Sequence, residues 1–412
     1  LNGRPFKIIS GAIHYFRVVP EYWRDRLEKL KAMGANTVET YVPWNMHEPK
    51  RGKFVFEGML DIQKFIQLAG ELGLYVIVRP SPYICAEWEF GGLPAWLLKE
   101  DGMRLRGCYE PFLEAIRAYY KVLFPVLVPL QITHGGPVIM MQVENEYGYY
   151  GDDTAYMETM KQIMLDNGVQ VPLVTSDGPM DESLSCGRLP GVLPTGNFGS
   201  KTEERFDVLR RYTDGGPLMC TEFWVGWFDH WGNGGHMRGN LEESTKDLDK
   251  MLELGHVNIY MFEGGTNFGF MNGSNYYDEL TPDVTSYDYD AVLTEAGDFT
   301  PKYEKYREVI GKYTLLPQVK FSTDIRKKDY GTLKVQEKVS LFRVLADLSV
   351  PVRNPFPMPM EKLDQSYGYI LYRTSLQREQ NLEKIRLWGA NDRANIFVDE
   401  KPVVTLYDRQ LL

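Results

Sequence analysis

At 412 residues the chain is long enough for two or three domains, and with 43% hydrophobic and 25% charged residues it shows neither disorder nor low complexity. A net charge of −10 argues against a nucleic-acid partner, whose phosphates need a basic face. No apolar run approaches the roughly 18 residues that span a bilayer, so no membrane partner is expected.

Phe6 to Ile13 reads as a strand, and Glu21 to Met33 as a helix ending at Gly34. Thr37 to Pro43 is the next strand, followed by a helix near Asp61 to Leu72 and the strand Tyr75 to Arg79. The pattern recurs as helix Pro111 to Leu123, strand Pro137 to Val143, helix Ala155 to Asn167 and strand Pro172 to Thr175. Further strands are predicted at Gly191 to Thr195, Pro217 to Thr221 and His256 to Phe262. These eight strands alternating with helices predict an α/β fold, a (β/α)8 TIM barrel over residues 1–312. A doubly wound sheet is the alternative, but no Gly-rich phosphate loop follows the first strand.

Residues 313–332 read as a linker, and 333–412 as the start of an all-β, jelly-roll-like module. Its strands are predicted at Val339 to Val344, Tyr367 to Tyr372, Lys384 to Leu387, Ala394 to Val398 and Val403 to Tyr407, with a hairpin turn at Asp399 to Pro402. The chain opens without Met and stops soon after this module begins, so truncation is expected, and with no signal peptide visible a cytoplasmic location.

Chemistry in a barrel collects where strands end. Here those ends carry Tyr41 to Pro49, Tyr83 to Glu89, Glu144-Asn145-Glu146-Tyr147-Gly148, Glu222-Phe223-Trp224 with Trp227 beyond, and Tyr260 to Gly269. Carboxylates, amides and aromatics cluster, whereas no Ser/His/Asp arrangement does. The four cysteines, Cys85, Cys108, Cys186 and Cys220, form no C-x-x-C and lie at no zinc-ligand spacing from a His, so no metal and no cofactor is expected. Paired carboxylates with aromatic platforms suit glycoside hydrolysis, one protonating the leaving oxygen and the other attacking carbon or activating water. Glu146 and Glu222 form the favoured pair, and Asn145 supplies an amide for a sugar hydroxyl.

The bland alternatives are substantial. A solitary strand-end Glu is ordinarily solvated or ion-paired. Glu144 reads as the structural member beside Glu146, and Glu48, Glu89 and Glu263 are weaker candidates. His14, His47, Tyr41, Trp224, Trp227 and Tyr289 suit core packing equally, and Cys85 and Cys220 suit small buried hydrophobes.

Together, Ser10-Gly11-Ala12-Ile13-His14-Tyr15, Glu39-Thr40-Tyr41-Val42-Pro43-Trp44-Asn45, Ile84-Cys85-Ala86-Glu87-Trp88-Glu89, Gln142 to Gly148, Thr221 to Trp227 and Ser286-Tyr287-Asp288-Tyr289-Asp290 resemble glycoside hydrolase family 35, the β-galactosidases. The nearer likeness is to bacterial members acting on β-1,3-linked galactose. The resemblance implies a retaining, exo-acting β-galactosidase with Glu146 as acid/base and Glu222 as nucleophile, acting on β-galactoside glycan termini. It also implies galactose contacts from Tyr41, Cys85, Ala86, Glu87, Asn145, Trp227, Tyr260 and Tyr289. Cys186 matches a half-cystine of animal members but has no partner in the helix after Gly148, which favours a reducing compartment or a bacterial member. Another retaining β-glycosidase, releasing glucosamine or glucose, and a sugar-binding protein without catalysis are the competing readings.

Overall fold

Alternating buried strands and amphipathic helices close on themselves in the computed structural model, which describes residues 1–412 except 2, 81, 322–324, 378–385 and 412. Strands β1 (Ile9–Ile13), β2 (Thr37–Tyr41), β3 (Tyr75–Arg79), β4 (Val138–Gln142), β5 (Leu173–Asp177), β6 (Leu193–Phe198), β7 (Met219–Trp224) and β8 (His256–Glu263) run in sequence order around a closed parallel barrel, β8 pairing with β1. This is the TIM barrel expected from the sequence. Helix limits follow local chemistry. Pro20–Met33 starts on a proline and ends at Gly34 with φ of 107°, while Asp61, Asp153, Asn240 and Thr300 cap the starts of later helices with side-chain oxygens.

Several strands run further toward their C-terminal ends than their composition suggests. Pairing of Phe223 with Ile259 and Trp224 with Tyr260 carries β7 past Thr221, so Glu222 lies within the strand. Along β3, Tyr75, Ile77 and Arg79 face the barrel interior by alternation, and Val76 and Val78 face the helices. A cluster of Ile8, Ile77, Ile139, Met140, Val174 and Met219 packs toward the strands' N-terminal ends. Toward the C-terminal ends the interior turns polar, with Glu39, Arg79, Gln142, Thr195, Thr221 and Asn258 all buried. Buried charge demands partners, and that demand organises the site described below.

Beyond the helix Pro301–Ile310, regular structure thins. A short antiparallel pair, β9 (Ser274–Tyr276) and β10 (Leu280–Pro282), lies before that helix, and the last hairpin is β11 (Arg393–Val398) and β12 (Lys401–Tyr407). The hairpin turn is tighter than expected: Asp399 and Glu400, at φ of 48° and 62°, form it, and Lys401 and Pro402 belong to β12. Val339 to Val344 holds a single 3-10 turn at Leu341–Arg343, and Tyr367 to Tyr372 forms no strand. A strand needs a hydrogen-bonded neighbour, and these segments have none among the described residues. Lys384 and Ile385 of the predicted strand Lys384 to Leu387 lie outside the described residues, and Arg386 and Leu387 are irregular. The segment still touches the barrel: Phe270 packs against Tyr367 and Tyr369, and Asp408 accepts the Leu280 amide at 3.0 Å.

Candidate active site

Glu222 projects from β7 into the polar end of the barrel, where three donors meet it. Arg79 Nη1 lies 2.7 Å from its Oε1, the Tyr41 hydroxyl donates to the same oxygen at 2.6 Å, and Trp224 Nε1 donates to Oε2 at 2.9 Å. A guanidinium, a phenol and an indole on one carboxylate stabilise negative charge there. Arg79 is the hub of this end. Its other donors reach Gln142 at 2.7 Å and Asn145 Oδ1 at 2.9 Å, and its guanidinium stacks 3.9 Å from the Tyr41 ring centroid. Glu39 completes the charge network, with Asn258 donating to it at 3.0 Å.

Glu146 stands on a different footing. β4 ends at Gln142, and both Glu144 and Glu146 adopt left-handed backbone, at φ of 56° and 48°. Strand alternation cannot separate these two carboxylates, since residues two apart share a strand face; their partners do. Glu144 is paired with Arg106 at 2.8 Å, accepts the Tyr156 hydroxyl at 2.8 Å and is fully enclosed. Glu146 receives one amide, from Asn197 Nδ2 at 3.0 Å, and that amide is aimed by Ser176, whose hydroxyl donates to Asn197 Oδ1. Burial, and then the charge of Glu222, push the Glu146 carboxyl up to about 8. Asn145, between them, has its oxygen held by Arg79 and Gln142, yet among the described residues its buried Nδ2 has no partner. An orphaned buried donor beside two carboxylates is a ready contact for a ligand hydroxyl.

Cys85, Ala86 and Glu87 form one wall as successive left-handed residues, at φ of 57°, 58° and 47°. Such backbone costs on the order of 1–2 kcal/mol per non-glycine residue, and buried contacts hold it here. The Arg17 guanidinium donates to the Ala86 carbonyl and lies 3.7 Å from the Tyr287 ring centroid, and Tyr287 donates its hydroxyl to Glu87 Oε2. Burial pushes the Glu87 carboxyl up to about 7, the Glu222 charge adding to it. Tyr260 and Tyr289 meet edge to face at 5.5 Å, and Trp227 stands 6.4 Å from Tyr289. Gly226 and Gly264 allow this: a Cβ at either would sit 1.8 Å or 1.5 Å from the carbonyls of Tyr289 and Tyr287.

All ten residues singled out from the sequence thus line one end of the barrel. Sequence reasoning missed Arg79, Arg17, Asn197 and Tyr287. Arg79 left a readable signal, since an Arg closing a wholly apolar strand must find a buried anion. The competing acids fall elsewhere: Glu48 accepts Trp44 Nε1 at 2.7 Å, and Glu263 pairs with Arg26 at 2.8 Å. His14 and His47 are both fully buried, His47 between the Tyr15 hydroxyl and the Val55 carbonyl. Among the described residues no cluster of His, Cys, Asp or Glu could hold a metal ion.

The segment carrying Trp227 is latched to the wall. His236 bonds Asp229 at 2.6 Å through Nδ1 and Asp288 at 3.0 Å through Nε2. Burial opposes its charge, but the Asp229 hydrogen bond and both carboxylates outweigh that, leaving its pKa above the ordinary value. A raised histidine stabilises the fold fully below its unfolded pKa of about 6.5, and the contribution vanishes as pH rises through the folded value. Wild type is therefore expected to melt above His236→Gln at pH 5 to 6 and to converge with it in alkaline buffer. Parallel melting curves across pH would refute the latch.

The family model for glycosyl hydrolases family 35 matches residues 1–313, and that for the first all-beta domain of beta-galactosidase matches 357–411. The chain is 46% identical to Beta-galactosidase-1-like protein 2 of Homo sapiens, over 97% of its own length and 63% of that protein. It is 42% identical to a Beta-galactosidase of Xanthomonas manihotis, over 98% of this chain and 67% of that one. It thus spans about three-fifths to two-thirds of the length of these relatives. Among solved structures, a beta-galactosidase from the psychrophilic Marinomonas ef1 superimposes with a TM-score of 0.52 at 12% identity, covering 75% of this chain and 59% of that chain. An exo-beta-1,4-mannosidase from an Opitutaceae bacterium does so with a TM-score of 0.53 at 16% identity, covering 76% and 60%. Both likenesses concern the fold alone.

Proposed function

The chain belongs to glycosyl hydrolases family 35, and on that premise we propose that its site removes terminal β-D-galactose from β-galactosides with retention of configuration. The observation that carries this is the unlike treatment of two neighbouring carboxylates. Glu222 is held by three donors that favour a negative oxygen, whereas Glu146 has one amide and a carboxyl pushed upward. Unlike environments assign unlike roles. Glu146 delivers its proton to the glycosidic oxygen while Glu222 attacks the anomeric carbon, forming a galactosyl ester and releasing the aglycone. Glu146, now ionised, takes a proton from water as that water attacks the same carbon, which frees Glu222 and restores the β configuration.

Around the sugar, the free Asn145 Nδ2 offers a donor, and Glu87 offers an acceptor for hydroxyls that a wrong epimer would leave unmatched. Cys85 and Ala86 present backbone groups, and Tyr41, Trp227, Tyr260 and Tyr289 complete the walls. β-1,3-linked galactose is the proposed preference, and the four unpaired thiols favour a cytoplasmic setting. Among the described residues no helix is long and apolar enough to cross a membrane. Residues 1–312 are proposed as the catalytic unit, 313–332 as linker and 333–412 as part of a β domain.

The test is hydrolysis of β-1,3-, β-1,4- and β-1,6-linked galactosyl disaccharides, followed by NMR of the first-formed sugar. β-Galactose is expected first, fastest from the β-1,3 linkage. α-Galactose would end the retaining reading, and cleavage of glucosaminides instead of galactosides would end the substrate reading.

A further inference from the structure

The turn that follows Glu146 carries aromatic residues at Tyr147, Tyr149 and Tyr150, and their duties differ. Tyr147 and Tyr150 are spent on structure: their hydroxyls donate to the carbonyls of Arg106 and Leu105 at 3.1 and 3.0 Å, and the Arg106 guanidinium covers the Tyr150 ring at 4.2 Å. Tyr149 has no such employment. The residue is 54% exposed, and among the described residues its hydroxyl makes no hydrogen bond and its ring meets no aromatic partner.

Its position is nevertheless fixed. The Tyr149 amide donates to the Glu146 carbonyl at 3.1 Å, closing the turn that carries both residues. The phenol tip seats over Gly178, in the loop directly after β5: a Cβ there would lie 1.6 Å from the Tyr149 oxygen. Burial, then the charges of Glu146 and Asp177, raise the phenol above its ordinary pKa, in keeping with that closeness. The turn itself is clamped, since Asp177 accepts the Gly148 amide at 2.8 Å. An exposed flat ring is thus held on a rigid base, on the rim beside one carboxylate.

Which side of the cleft this is follows from the chemistry of that carboxylate. A general acid must reach the glycosidic oxygen, so the leaving group departs on the side of Glu146. From the seating of Tyr149 over Gly178 next to Glu146, we propose that Tyr149 is the platform on which the aglycone ring stacks, so that the site favours galactosides whose leaving group is a second pyranose. The apolar face of a pyranose aglycone lies on the ring, a contact that a methyl aglycone is too small to make. The proposal rests on the galactosidase reading above.

Two galactosides separate the two readings: methyl β-galactoside, which has no aglycone ring, and a β-galactosyl-N-acetylglucosamine. Tyr149→Ala is expected to lose about three- to tenfold in kcat/KM on the disaccharide and to match wild type on the methyl glycoside. Tyr149→Phe, which keeps the ring, is expected to retain the disaccharide activity. Gly178→Ala, whose new methyl displaces the phenol tip, is expected to repeat the selective loss. Equal change on both substrates, or none, in Tyr149→Ala would overturn the platform and leave the galactosidase intact. Wild-type inactivity on both substrates would instead overturn the galactosidase reading, and the platform with it.

Discussion

Glu222→Gln is expected to lower turnover of an aryl β-galactoside by about 10⁴- to 10⁶-fold, with binding of galactose little changed. The amide keeps the shape of the carboxylate and can still face Tyr41 and Trp224, so the fold survives, but it cannot attack carbon. It also meets Arg79 without a charge, leaving that guanidinium short of one buried partner. Trapping decides which carboxylate is the nucleophile. In Glu222→Ala, azide is expected to occupy the vacated face and attack the anomeric carbon opposite the leaving group, giving α-galactosyl azide. In Glu146→Ala the galactosyl ester still forms, and azide displaces Glu222 from it to give the β product. The reverse pattern would exchange the two roles, and full activity in Glu222→Gln would remove Glu222 from the mechanism.

Much of this site was legible in the sequence because barrel strands announce themselves. Short apolar runs separated by amphipathic helices located β1 to β8, and the residues just after each run were the candidates. Legibility ended where a residue's role depends on what another strand brings to it. Asn197 sits in β6 and aims at Glu146, in the turn after β4, only because the barrel brings β4 and β6 to the same end. Glu144 and Glu146 were separable by partner rather than by strand face, since residues two apart would share a face and both sit here in left-handed turns. The β-rich end was the least legible part. Val339 to Val344 and Tyr367 to Tyr372 have strand composition, but strand formation is settled by pairing, and only β11 and β12 find each other among the described residues.

Glu146→Gln tests the other half of the pair, and its effect is expected to depend on the leaving group. A sugar alkoxide needs a proton to depart, so cleavage of a galactosyl disaccharide is expected to fall by about 10²- to 10⁴-fold. A dinitrophenolate needs none, so the first step on that substrate is expected to persist. Hydrolysis of the ester then lacks its base, and a burst of phenol followed by slow turnover is expected. The pH profile carries the sign. Because the acid must hold its proton, wild-type kcat/KM on the disaccharide is expected to fall as pH rises through about 8, and Glu146→Gln is expected to lack that limb. The carboxyl is raised first by burial and then by the charge of Glu222, so neutralising that neighbour lowers it. In Glu222→Gln, carbon-13 titration should find Glu146 ionising at lower pH than in wild type. An unmoved or raised titration would mean that the two carboxylates do not sense each other, and the paired mechanism would fail with it.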